Sequence, residues 1–86
     1  MAIYRVLYWQ EIPSQVKVED DDGEEVSLPL PGRFLALIDR MAMERGLKEA
    51  DTYLAQWNWG EETERNGSAA EVAEAVAAEL EARFPA

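Results

Sequence analysis

The chain has 86 residues, with 18 acidic against 8 basic side chains for a net charge of -10, and it contains neither cysteine nor histidine. The missing types exclude disulfides, thiolate nucleophiles and cysteine-ligated metals, and they remove the commonest general base and metal ligand. The acidity repels phosphate backbones and anionic headgroups, so neither nucleic acid nor a membrane is an expected partner.

A chain of this length makes one domain, 1–86, close to the size below which a core needs staples. The sequence starts directly into apolar strand residues with no basic leader, and no stretch approaches the roughly 20 apolar residues of a membrane span. A cytoplasmic location is the expectation. The segment from Glu19 to Glu25 (EDDDGEE) carries six acids and no base. Between Arg33 and Asp51 the signs balance, which makes this the one segment that would not repel an anion locally.

Ala2 to Trp9 (AIYRVLYW) is β-branched, aromatic or aliphatic nearly throughout, as packed strands are. Ile3, Leu7 and Trp9 alternate with Tyr4, Val6 and Tyr8, Arg5 sharing the first side, so both faces are largely apolar. A central strand is predicted. Pro13 and Ser14 predict its end by Ile12 and a turn beyond it. Gln15 to Glu19 and Glu25 to Leu28 then alternate apolar and polar with Val16, Val18, Val26 and Leu28 inward. The Asp-Gly of Asp20-Asp21-Asp22-Gly23-Glu24 joins them as a β-hairpin.

Pro29 and Pro31 close that strand, and Pro31 or Gly32 opens a helix. In that helix Phe34, Leu37, Ile38 and Met41 recur at helical spacing as far as Arg45. Gly46 suits a left-handed cap, with Leu47 folding back on the last turn. From Tyr53 to Trp59 the pattern fits two structures: Tyr53, Ala55, Trp57 and Trp59 alternate as in a strand, while Tyr53, Leu54 and Trp57 share helical spacing. The strand is favoured. Glu61 to Gly67 reads as a loop. Ser68-Ala69-Ala70-Glu71 is a capping box for a final helix to Phe84, with an expected surface pair between Glu79 and Arg83.

The acidic turn invites a calcium reading, but with Gly23 at the glycine position of an EF-hand loop, Val18 and Pro29 fall at the first and last ligand positions. A solvated hairpin tip is the better reading, and no metal site or cofactor is expected. Arg33 and Arg40 share a helix face, as an anion site would need, although exposed helical arginines are more often solubilising. No serine or threonine has a base to activate it, and nothing selects one acid pair from the 18 acids, so no catalytic residue is assigned. Tyr4, Tyr8, Trp9, Trp57 and Trp59 are the candidate binding residues, because such aromatics dominate docking surfaces and pockets. Filling a small core is the competing role for each of them.

Taken in order, IYRVLYW, IPSQVKVED, LPLPGRF, YLAQWNWG and GSAAEVAEAVAAELEARF make the chain resemble the small bacterial "virulence factor" domain family. That family is itself similar to a segment of the larger conserved virulence factor C proteins. The resemblance spans nearly the whole length and is most specific in the opening strand and in Trp57-Asn58-Trp59. It implies a stand-alone form of a domain found elsewhere beside an iron-sulfur scaffold-like domain and helical repeats. It carries over no catalytic residue, and a chain without cysteine could not hold a cluster itself.

The expected architecture is an α+β two-layer sandwich, an antiparallel sheet of three to four strands with two helices on one face. The expected role is a non-enzymatic accessory or interaction module with a protein partner or a second copy. A small-molecule binder or enzyme using carboxylates and tyrosine in a helix-sheet pocket is the alternative. Two helices cover only one face of a sheet, so the Tyr4, Val6 and Tyr8 side is expected to be the uncovered one.

Overall fold

The computed structural model describes residues 1–84, and its eight elements form one α+β sandwich. Strands β1 (Ala2–Trp9), β2 (Ile12–Asp20) and β3 (Glu25–Pro29) make an antiparallel meander. Helices α1 (Gly32–Glu44) and α2 (Ala50–Ala55) then carry the chain to the far edge of β1. There β4 (Trp57–Trp59) pairs with Leu7–Trp9 and β5 (Thr63–Arg65) pairs with Ala2–Tyr4, both antiparallel. Helix α3 (Ala69–Arg83) closes the domain. The order is β3-β2-β1-β4 with β5 beside β4 on the same edge, so the opening strand is an interior one, as its two apolar faces require.

Cross-strand register decides which face is the core. Tyr4 lies opposite Val18 and Val18 opposite Val26, while Val6 lies opposite Val16 and Val16 opposite Leu28. Paired residues share a face, so these form one apolar layer. Against it pack Phe34, Ile38 and Ala42 of α1 and Val72, Ala73, Val76 and Leu80 of α3. Val16 and Val18 are fully buried and Val6 nearly so. The expectation that the Tyr4, Val6 and Tyr8 side lies uncovered is therefore corrected. That side faces the helices, because β2 and β3 offer their valines and Leu28 in register with it.

Several boundaries move for identifiable reasons. The first turn is Gln10-Glu11, not Pro13-Ser14, with Gln10 at φ 54°. Pro13 sits inside β2 where the ladder slips between Leu7 and Tyr8, a bulge at which a missing donor does no harm. The segment predicted as strand from Tyr53 divides, Tyr53 to Ala55 joining α2 and only Trp57 to Trp59 extending. The helical turn brings Tyr53 to the Trp9 end of the sheet, where the two rings lie 5.6 Å apart and the Trp9 indole N–H donates to the Tyr53 carbonyl at 3.0 Å. The predicted loop at Glu61 to Gly67 contains β5, an edge strand whose backbone pairs with β1 although its residues are polar.

The helix ends follow their capping chemistry. Gly46 at φ 70° lets its own N–H reach the Met43 carbonyl and the Leu47 N–H reach Ala42 at 2.8 Å, the double closure of a Schellman cap. Ser68 Oγ accepts from the Glu71 N–H at 3.2 Å, and Glu71 Oε1 accepts from the Ser68 N–H at 3.1 Å, which is the reciprocal capping box.

Glu79 pairs with Arg65 of β5 rather than with Arg83, through Nη1–Oε1 at 3.1 Å and Nη2–Oε2 at 2.7 Å. The forked geometry of the guanidinium favours this two-point contact over a partner on the same helix. The Arg65 hydrogen bond holds the Glu79 carboxyl below its ordinary value of 4.5. A carboxyl depressed in the fold adds stability above its unfolded pKa and loses it as pH falls through the folded value. Glu79→Gln is accordingly expected to lower the melting temperature at neutral pH, with the difference from wild type vanishing as pH drops below 4.5. Thermal melts of both proteins across that range check it.

Candidate functional site

With α1 and α3 packed on one side of the sheet, the other side is open from Ile3 to Leu7, and its residues are fixed by the same register. Ile3, Arg5 and Leu7 of β1 stand beside Gln15, Lys17 and Glu19 of β2, Glu25 and Ser27 of β3, Trp59 of β4 and Glu64 of β5. Ile3 and Trp59 keep 42% and 41% of their surface exposed, and Leu7, directly opposite Trp59, is half-buried. The Arg5 guanidinium lies over the Trp59 ring at 5.0 Å from its centroid. This cation–π contact fixes two long side chains in one place.

The polar part of the face is arranged unusually. Arg5 lies directly opposite Lys17, and Glu19 directly opposite Glu25, like-charge pairings that destabilise an isolated strand pair. The diagonal compensates, with Lys17 Nζ 3.5 Å from Glu25 Oε1. Together with Ile3 and Glu62 these charges line a shallow hollow of about 140 Å3. The face thus has an apolar and aromatic side along β1 and β4 and a mixed-charge side along β2 and β3.

A second concavity lies on the helix side, where β4 gives way to β5. Arg5 and Val6 there stand opposite Gly60, Glu61 and Glu62, one residue too many for a regular ladder, and the edge bulges. The Gly60 N–H donates to the Val6 carbonyl at 2.8 Å. A Cβ on Gly60 would come within 3.1 Å of the Tyr8 ring, so glycine is what allows this close approach. Tyr4, Val6, Tyr8, Gly60, Glu61 and Thr63 line the resulting cleft of about 260 Å3.

The aromatic candidates therefore part company. Trp9 is fully enclosed and belongs to the core, because α2 brings Tyr53 across it. Trp57 is half-buried and packs edge-on to Tyr53 at 6.1 Å. Burial pushes the Tyr53 phenol above its ordinary pKa, with the Asp39 carboxylate adding to the shift. Tyr4 and Tyr8 are half-buried in the cleft, and Trp59 is exposed on the opposite face.

Arg33 and Arg40 do not converge on a common site. The Arg33 guanidinium lies 4.4 Å from the Phe34 ring centroid and donates to the Phe84 carbonyl and, at 3.2 Å, to that of Glu81, while Arg40 is exposed. Arg33 thus satisfies carbonyls left over at the end of α3, where positive charge is favoured. In the acidic turn Asp20 Oδ1 accepts from the Asp22 and Glu24 N–H groups at 3.0 and 3.1 Å, which folds the tip around its own backbone. Among the described residues no group of three or more acidic side chains is placed to hold a metal ion, and no helix is long and apolar enough to cross a membrane.

Sequence reasoning missed Ile3, Arg5 and Leu7 as surface residues. The signal was present in β2, where Gln15, Lys17 and Glu19 are the polar half of the alternation and therefore mark the open side of whatever pairs with them.

The family described as Virulence factor matches this chain over residues 7–86. No curated protein and no solved structure matches it.

Proposed function

The chain belongs to the virulence factor family, and from that premise we propose that it is a non-enzymatic accessory module that docks a protein partner on the open face of its sheet. The observation that carries this reading is the pairing of exposed Trp59 and Ile3 with Arg5 held over the indole. Tryptophan and arginine are the residue types that most often anchor interfaces, and a pre-ordered pair loses less freedom on binding. A second copy of this chain is the less favoured occupant. Glu19, Glu25, Glu62 and Glu64 around the face, on a chain of net charge -10, would meet their own kind.

The test is purification of the tagged chain from its native cells, alongside Trp59→Ala and Ile3→Ala. Wild type is expected to retain a stoichiometric protein partner that both variants lose, while their circular dichroism and melting stay within about 1 kcal/mol of wild type, as surface changes do. A partner retained by both variants, or none retained by wild type, refutes the reading.

A further inference from the structure

We propose that the cleft at the β4–β5 break, on the side of the sheet away from Trp59, binds an alkylated ammonium ion. Its walls are formed by the half-buried Tyr4 and Tyr8 with buried Val6 and with Gly60, and by the exposed Glu61 and Thr63. Phenol rings attract cations through their negative π faces. A methylated ammonium suits such walls better than a primary one, because it is weakly hydrated and its methyl groups fill apolar space while the charge stays close to the rings.

Glu61 is exposed and has no ion-pair partner among the described residues, so its carboxylate is free to neutralise the guest. Arg65, the one basic group of β5, lies close to the Tyr4 hydroxyl and is the local opposition to a cationic guest, offset by Glu79, which engages both its Nη atoms. The net charge of -10 adds a long-range field that draws cations and repels anions. The volume of about 260 Å3 accommodates a trimethylammonium head and the start of its chain. Glycine at position 60 keeps the Tyr8 ring where it is, since a methyl group there would meet that ring at 3.1 Å. The site does not depend on the docking surface and can be tested without a partner.

The experiment is a titration of the full chain followed by two-dimensional amide NMR, with choline as the probe and its neutral carbon isostere, 3,3-dimethylbutan-1-ol, as the control. Saturable shifts at Tyr4, Tyr8 and Gly60 are expected with the cation and not with the alcohol. Tyr8→Leu is expected to weaken binding about fivefold. Glu61→Gln, a near-isosteric change at an exposed residue, is expected to weaken it and to reduce its salt dependence. Comparing choline with N-acetyl-trimethyllysine amide then separates a free metabolite from a modified peptide as the source, and tighter binding of either upholds the cation site. Equal binding of the alcohol, shifts that never saturate, or an affinity indifferent to both substitutions overturns the proposal.

Discussion

Trp9→Ala is expected to destabilise the domain by about 3–5 kcal/mol, an appreciable part of the roughly 5–15 kcal/mol that holds a small domain together. The side chain is fully buried, its ring packs on Tyr53, and its N–H is satisfied by the Tyr53 carbonyl. Truncation leaves a cavity at the end of the sheet and removes one of the two hydrogen bonds that the Tyr53 carbonyl accepts, the other coming from the Gln56 N–H at 3.2 Å. It also loosens the turn, since the Gln10 N–H is bonded to the Gln56 carbonyl at 3.0 Å and the Gln10 side chain to Gln56 and Arg45. Urea unfolding should show the midpoint falling with little change in slope. Trp59→Ala in the same assay should stay within about 1 kcal/mol of wild type, although it removes the same side chain. The contrast measures the difference between a tryptophan that builds the fold and one that is presented by it.

Phe34→Ala is expected to cost about 3–5 kcal/mol as well, for a different reason. Phe34 is 2% exposed, and its ring meets Phe84 edge-on at 5.9 Å. Arg33 beside it binds the last carbonyls of α3, so these two residues dock the start of one helix on the end of the other. Losing the ring should also loosen that contact, and hydrogen exchange in the last turn of α3 should rise more than in β1 and β2. Uniform exchange throughout would mean that the two helix ends are not coupled.

The α+β sandwich, the central opening strand, the Asp-Gly hairpin and both major helices are legible from periodicity and capping residues alone. Each rests on local chemistry: Gly23 and Gly46 adopt positive φ, Ser68 and Glu71 complete their box, and Val16 and Val18 alternate with polar neighbours. The features that are not legible depend on pairing across the chain. Tyr53 to Trp59 satisfies two periodicities, and only contact with Trp9 selects a helical turn before the strand. β5 has no apolar alternation because it buries little, and its pairing with β1 is a backbone matter. The identity of the open face follows the same rule. β1 is apolar on both sides and does not by itself distinguish core from surface, whereas β2 with Lys17 and Glu19 does so once the register is known. Of the candidate aromatics, Trp59 and the two cleft tyrosines lie where a ligand or partner can reach them, and Trp9 does not.

The most direct measurement places a photo-reactive phenylalanine analogue at position 59 and, as a control, at exposed Leu54 on α2, then irradiates living native cells. The expected result is one discrete adduct from position 59, of a mass other than twice the 9.7 kDa chain, and none from position 54. An adduct of twice the chain mass would make the occupant a second copy. The same pattern from both positions would contradict the claim that the open sheet face is where this protein meets its partner.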